Sequence, residues 1–139
     1  MATNEELIWQ FFKSQGFSDA GAAGMMGNLF AESALNPMNL QNSYEKKLGY
    51  TDSSYTKAVD DGTYTNFVRD SAGYGLAQWT FWSRKEGLFN YAKQKNKSIG
   101  DLQIQLEFLM TELSKGYKGL LNTLKTTNSV KEASNGVLL

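Results

Sequence analysis

The chain has 139 residues, with 14 basic and 14 acidic side chains, no histidine and no cysteine. This length fits one domain with a hydrophobic core of its own. The lack of His and Cys excludes Cys-His and Ser-His-Asp nucleophilic sites, zinc sites built on those residues, and disulfides. Chemistry is therefore left to Asp, Glu, Tyr, Lys, Ser and Thr, and we expect no metal or organic cofactor.

Charge and hydropathy narrow the class of partner. The formal net charge is zero, and no block of Lys and Arg suits a nucleic-acid backbone, so a nucleic-acid partner is disfavoured. No apolar run approaches the about 20 residues that span a bilayer, and residues 1–10 lack the basic start and apolar stretch of a secretory signal. Aromatic residues make up 13% of the chain, which suits a cleft for a neutral polymer.

Helix signals open the chain. Thr3 and Glu6 form a capping box before a predicted helix over residues 4–15, which Gly16 ends. Ser18 caps a second predicted helix that runs to about residue 33 and is rich in Ala and Gly, so another backbone can approach it closely. The dipeptide at residues 36–37, Asn-Pro, ends that segment, because proline cannot continue a helix.

The middle of the chain lacks helical periodicity. Residues 38–72 are rich in Asn, Ser, Thr, Asp and Tyr, and we predict a long loop region with a short β-hairpin around residues 60–62. Loops of such length in a compact domain are usually functional. The glycines at 73 and 75 predict a tight turn directly after this region.

The remainder is predicted to be helical. One helix covers about residues 83–95, and the next is capped by Ser98 or Asp101 and ends at Gly116. Its apolar stripe consists of Leu102, Leu106, Leu109 and Leu113, with Ile104 and Phe108 added.

The C-terminal part follows the same pattern. A further helix or turn covers residues 117–125, and Ser129 with Glu132 forms a second capping box before a last helix. The chain stops at Leu139, soon after that start. We therefore expect residues 1–139 to be a single domain cut from a longer protein.

Glu32 is the first candidate for chemistry. It follows Leu29, Phe30 and Ala31 near the end of the small-residue helix. A carboxyl in such surroundings loses hydration, which favours the protonated form that a general acid needs. From this segment alone a solvated surface glutamate is an equal reading, because most glutamates are exposed.

The second candidate segment covers residues 70–82. Its two glycines flank Tyr74, so the backbone can come close to a ligand. Gln78 can both donate and accept hydrogen bonds, which sugar hydroxyls and N-acetyl groups require. Trp79 and Trp82 offer stacking faces, and we expect one of them in the core and the other in a cleft.

Together these segments resemble a known family. The pattern Glu-Ser-x-x-Asn-Pro at residues 32–37, followed by Gly-x-Gly-Leu-x-Gln at residues 73–78, is similar to goose-type lysozymes and lytic transglycosylases. The fuller pattern is closer to phage tail lysozyme domains, and it extends from Glu6 to about Leu113. It includes Ile8-Trp9-Gln10-Phe11-Phe12, Gly16-Phe17-Ser18, Ala23-Gly24-Met25-Met26-Gly27-Asn28, Trp79, Arg84 and Gln105-Leu106-Glu107-Phe108-Leu109.

The resemblance implies a mainly α, lysozyme-like domain, monomeric and without membrane contact. It would cut the β-1,4 bond between N-acetylmuramic acid and N-acetylglucosamine in bacterial peptidoglycan, from a phage tail or as a released lysin. Glu32 matches the family's catalytic glutamate. The residues predicted to bind substrate are Ser33, Tyr74, Gly75, Leu76, Gln78, Trp79 and Trp82.

The reaction type stays open at this stage. Hydrolysis needs a second carboxylate, about 6.5–9.5 Å from the acid for inversion and roughly 5–5.5 Å for retention. Of the candidates Asp52, Asp60, Asp61 and Asp70, we predict Asp70 because it precedes the Gly-Tyr-Gly turn. An Asp before Ser-Ala-Gly equally often caps a turn.

Two alternatives to hydrolysis remain. A lytic transglycosylase needs no second carboxylate, since the 6-hydroxyl of the sugar closes onto the anomeric carbon. A non-catalytic glycan-binding module of a phage tail would use the same aromatic cleft without cutting. The Asp-rich middle region slightly favours hydrolysis.

Overall fold

The computed structural model describes residues 1–137 and 139. This part of the chain is mainly helical, as predicted. Its helices are α1 (Asn4–Ser14), α2 (Asp19–Ser33), α3 (Asn42–Leu48), α4 (Asp52–Asp60), α5 (Trp82–Gln94), α6 (Leu102–Gly116), α7 (Lys118–Thr126) and α8 (Val130–Gly136).

The first two helices begin and end where their signals predict. The Thr3 hydroxyl accepts a hydrogen bond from the Glu6 amide at 3.1 Å, and the Glu6 carboxylate accepts one from the Thr3 amide, which completes the capping box. The Ser18 hydroxyl accepts from the Gly21 amide at 3.0 Å and starts α2. Each cap satisfies a backbone donor that the first helical turn leaves free.

The prediction of a loop over residues 38–72 is wrong for about half of that region. Two short helices, α3 and α4, lie there, and residues 60–62 form the end of α4 and a turn rather than a hairpin. Helix α4 has a capping box of Thr51 and Ser54, and it buries Tyr55 and Val59. Helix α3 buries no side chain and ends at Gly49 with φ of 79°. Neither helix has the long apolar pattern from which a helix is predicted in a sequence. Helix α4 has only a capping box and one buried stripe, and α3 has neither of these.

The second half confirms the predicted helices. Asp101, rather than Ser98, caps α6, because its carboxylate accepts from the Ile104 amide at 3.0 Å. The Ser129 hydroxyl accepts from the Glu132 amide at 3.1 Å and begins α8. Within the described residues, no helix is long and apolar enough to cross a membrane.

Helix α2 is the centre of the fold, since it packs against α1, α7 and α8. Its glycines allow that approach: a Cβ atom on Gly24 would lie 2.5 Å from the Cβ of Ala133 on α8. Met25 and Leu29 are fully buried on the same helix. Helix α2, whose last turn carries Glu32, is therefore held in place by three other helices.

Candidate active site

Glu32 lies on the last turn of α2 and is exposed. The expectation of a desolvated carboxyl is therefore wrong for the free protein. Asn28, one turn earlier on the same side of the helix, is covered by α8, because its side chain donates to the Ser134 carbonyl at 3.0 Å. Glu32 thus emerges on the side of α2 that α8 packs against, one turn beyond its contact with Asn28.

The chain turns sharply after Glu32. The buried Ser33 hydroxyl donates to the Leu29 carbonyl at 3.0 Å, so it is directed into the helix. Ala34 and Leu35 follow with φ of 53° and 63°, a left-handed conformation that costs free energy in residues other than glycine. The Asn4 side chain donates to the Leu35 carbonyl at 3.2 Å and stabilises this turn.

Asp52 holds the loop that follows. Its two carboxylate oxygens accept from the Asn36 side chain at 3.2 Å and from the Leu40 amide at 2.9 Å. One of the predicted candidates for the second carboxylate is therefore engaged in ordering the chain between α2 and α3.

Asn39 in this loop joins the two sequence motifs. Its carbonyl accepts hydrogen bonds from the Gly75 amide and the Gln78 side chain, both at 2.9 Å. Tyr74 and Trp79 pair through two backbone hydrogen bonds of 3.0 and 2.9 Å, which close the turn between them. The structure thus connects the segment after Glu32 directly to the turn that carries Gln78.

The backbone of this turn is buried and rests on Gln105 of α6. Gly75 has φ of 83°, and a Cβ there would meet the Gln105 side-chain amide at 2.9 Å. That amide accepts from the Leu76 amide at 2.9 Å and donates to the Pro37 carbonyl at 2.6 Å. Gln105 therefore bonds both motifs to α6. The only sequence signal for this role is a glutamine among the apolar residues of a helix.

The aromatic residues of the segment differ in burial. Trp79 is fully buried, which confirms that one tryptophan belongs to the core. Trp82 is 42% exposed, with the Arg69 guanidinium 4.9 Å from its ring centroid. Tyr74 is also fully buried and shares a 2.6 Å hydrogen bond with the Thr56 hydroxyl, and burial raises its pKa. Of the three rings, only that of Trp82 is exposed.

Asp70 lies in a buried polar cluster. Its side chain is 1% exposed, and one carboxylate oxygen accepts from the Lys85 ammonium at 2.6 Å and from the Ala72 amide at 3.0 Å. The other oxygen accepts from the hydroxyls of Tyr55 at 2.6 Å and Tyr64 at 2.8 Å. Both oxygens are occupied by the protein itself, which disfavours a role for Asp70 in activating water.

Lys85, like Tyr55 and Tyr64, is a residue of this cluster that sequence reasoning missed. It is fully buried and also donates to the Ala72 carbonyl at 2.7 Å. Burial lowers the pKa of Lys85, while Asp70 acts in the opposite sense. Burial also raises the pKa of Tyr55, and its hydrogen bond to Asp70 raises it further. The only sequence signal was the spacing of Lys85 with the buried Leu88 and Ala92 on α5.

The remaining predicted carboxylates are also bonded within the chain. Asp60 accepts from the Ser98 hydroxyl and the Ile99 amide. Asp61 is exposed, and its pKa is lowered by hydrogen bonds from Thr63. Among the residues that the structure describes, no group of three or more Asp and Glu side chains could hold a metal ion.

Two cavities lie on different sides of α2. One of about 740 Å³ runs between α1 and α2 and is lined by residues that include Trp9, Met26 and Phe30. It contains none of the predicted site residues, and Phe30 is about 200° around the helix from Glu32. The other, of about 550 Å³, is lined partly by Met25, Arg84 and Glu112.

Comparison with known protein families gives a match over nearly the whole chain. A family model described as phage tail lysozyme matches residues 3–138. The match extends over both motifs and over every helix that the structure describes.

Proposed function

Because the chain belongs to the phage tail lysozyme family, a lysozyme-type family that acts on peptidoglycan, we propose that Glu32 is its general acid. The bond cut is the β-1,4 link between N-acetylmuramic acid and N-acetylglucosamine. One observation carries this proposal. Glu32 is exposed on the last turn of α2, directly before the loop in which the Asn39 carbonyl accepts a hydrogen bond from the Gln78 side chain.

The proton goes from the Glu32 carboxyl to the glycosidic oxygen as the bond to the anomeric carbon breaks. Such a transfer needs the two oxygens within about 2.6–3.2 Å. Since the free protein leaves Glu32 in water, the bound glycan supplies the cover. Displacing that water favours the neutral carboxyl that donates the proton.

The predicted binding residues have separate tasks in this proposal. The exposed ring of Trp82 stacks on a sugar ring. Gln78 accepts from a sugar hydroxyl through its side-chain oxygen, because its side-chain nitrogen already donates to Asn39 and Gly75. Tyr74, Gly75, Leu76 and Trp79 are buried, so they shape the turn that presents Gln78. Ser33 stabilises the end of α2 through Leu29.

Asp70 is a positioning residue in this proposal. Through Ala72 and Lys85 it fixes the chain directly before Gly73. The monomeric domain acts on the cell wall, as part of a phage tail or as a released lysin.

A lytic transglycosylase reaction is the second candidate, and the carboxylates favour it. Asp52, Asp60 and Asp70 each accept at least two hydrogen bonds from the chain. A base for water needs a free carboxylate oxygen near the acid. The 6-hydroxyl of the sugar attacks intramolecularly and needs no such partner.

A pair of variants tests the role of Glu32 as general acid. Glu32→Gln keeps the size of the side chain but removes the acid, and Glu86→Gln, at an exposed position on α5, is the matched control. We expect the Glu32 variant to stop clearing purified cell walls with an unchanged circular dichroism spectrum, while the control clears them normally. Clearing by the Glu32 variant at near the normal rate would refute the assignment.

Mass spectrometry of the released products decides the reaction type. Reducing ends indicate hydrolysis, and 1,6-anhydro ends indicate a transglycosylase. If the wild-type protein binds walls and releases no product, it is a glycan-binding module and the proposal of catalysis fails.

A further inference from the structure

A cavity of about 550 Å³ lies between α2, α6, α7 and the end of α8. Its surface is mostly apolar, with one charged wall. The lining residues used below are Met25, Arg84, Leu109, Glu112, Lys115 and Leu120.

The cavity and Glu32 are on the same face of α2. Met25 precedes Glu32 by seven residues, which corresponds to almost two full turns and a distance of about 10 Å along the helix. The charged wall is also joined to the second motif, because the Trp79 indole donates to Glu112 at 2.9 Å. The cavity thus lies within about two turns of α2 from Glu32, and its charged wall is bonded to the second motif, although neither Glu32 nor Gln78 lines it.

The charged wall is fixed in one orientation. The Arg84 guanidinium donates from Nε to one oxygen of Glu112 at 2.8 Å and from Nη2 to the other at 2.9 Å. These bonds use two of its five N–H donors, and the other three have no partner among the described residues. The Arg84 side chain is 33% exposed and that of Glu112 is 18% exposed. Lys115 at the same rim adds a second cation to the wall.

This composition suits a particular ligand. The free guanidinium donors and Lys115 match a carboxylate or amide carbonyl. The accessible apolar surface of the cavity, which Leu120 and Tyr117 provide above the buried Met25 and Leu109, matches small alkyl groups. A neutral sugar ring offers no anion for that wall, whereas a short acidic peptide with methyl side chains fits both parts.

We propose that this cavity binds the peptide stem attached through the lactyl group of the muramic sugar. The proposal rests on the proposed function, since it places the stem beside a glycan held at Glu32. The carboxylate of the stem pairs with Arg84 and Lys115, and its lactyl and alanyl methyl groups contact the apolar surface. The cavity thus makes the protein selective for glycan that carries peptides.

Binding can be measured without catalysis. The Glu32→Gln protein is titrated with N-acetylmuramoyl-L-alanyl-D-glutamate, and the nuclear magnetic resonance signals of the Trp79 indole N–H and the Arg84 Nε–H are followed. We expect both signals to shift with this probe and to stay unmoved with N,N′-diacetylchitobiose, which has no stem. Lys115→Glu weakens the binding, while Lys118→Glu, outside the cavity, does not. Signals that stay unmoved at millimolar probe overturn the proposal.

Kinetics give a second, independent test. The double variant Arg84→Met/Glu112→Gln removes the charges in pairs and keeps an acceptor for Trp79. The measured quantity is the ratio of kcat/KM on intact peptidoglycan to that on glycan stripped of peptides by an amidase. We expect this ratio to fall about tenfold in the variant, as loss of a hydrogen bond to a charged group implies.

The outcomes separate the two proposals. An unchanged ratio overturns the stem site and leaves Glu32 as the acid. A wild-type protein that cuts neither substrate refutes the proposed function, while the titration still decides whether the stem binds.

Discussion

Lys85 is the residue on which the turn of the candidate site most depends. A lysine that is fully buried loses its hydration, and this loss is offset by the Asp70 carboxylate and the Ala72 carbonyl. Since Ala72 directly precedes the Gly-Tyr-Gly turn, the position of the ammonium fixes the position of that turn.

We predict that Lys85→Met destabilises the fold by roughly 3–5 kcal/mol, because it leaves the Asp70 charge buried without its cation. Urea denaturation followed by circular dichroism measures the change in the free energy of unfolding. Lys93→Met, at an exposed position on the same helix, should change it by less than about 0.5 kcal/mol. The double variant Lys85→Met/Asp70→Asn should regain part of the loss. A Lys85→Met protein as stable as the Lys93 variant would show that the pair does not hold the turn.

At the level of single residues, the sequence predicted some members of the candidate site and not others. Glu32 was predicted from its motif. The exposure of Glu32 depends on where α8 ends relative to α2, and no local sequence pattern predicts that. Asp70 was predicted because of its place before the glycines, and Lys85 was missed because charged residues are seldom fully buried. The partners of a buried charge come from distant segments, so a single sequence does not identify them.

At the scale of elements, capping chemistry made four of the described helices predictable. Helices α1, α2, α6 and α8 each have a side-chain cap and an apolar stripe or a small-residue face. Helix α3 has no side-chain cap and no buried residue, so neither of these signals was present. Helix α4 has a serine where capping boxes usually carry Glu or Gln, which explains why it was overlooked.

The contact between α2 and α8 gives a matched pair of predictions. Alanine favours a helix over glycine by about 1 kcal/mol, and Gly27→Ala should stabilise the protein by roughly 0.5–1 kcal/mol, because nothing lies within 4 Å of the new Cβ. Gly24→Ala should instead destabilise it by roughly 1–2 kcal/mol, since its Cβ would lie 2.5 Å from that of Ala133. Thermal unfolding of both variants checks the opposite signs. Stabilisation by both would mean that α8 packs less closely than described.

At the scale of the whole molecule, the candidate site is assembled from three parts of the chain. Residues near 32–41, 70–82 and 105 meet through Asn39 and Gln105. The order of the motifs indicated the family and the fold class. The contacts that bring the motifs together are set by packing between helices, which sequence patterns do not specify.

Tyrosines make the stability of the whole molecule sensitive to alkali. A hydrogen bond to Glu107 raises the pKa of Tyr91 to about 12. Because the unfolded chain releases this proton near pH 10 and the folded chain retains it to about 12, the free energy of unfolding falls as the pH rises between these values. Tyr91→Phe should show a shallower fall in urea denaturation across this range. The comparison isolates Tyr91 from Lys85, whose lowered pKa acts in the opposite sense. Parallel curves for the two proteins would rule out this contribution.

The role of Glu32 as proton donor is tested most directly by changing the leaving group of the substrate. A dinitrophenyl glycoside of a peptidoglycan tetrasaccharide departs without a proton, whereas a sugar leaving group needs one. Removal of a general acid costs about 10²- to 10⁴-fold in rate, and we predict that Glu32→Gln loses this much on the natural glycan. On the dinitrophenyl glycoside its loss should be at least about tenfold smaller, since general-acid assistance contributes little there. Equal losses on both substrates would contradict proton donation by Glu32.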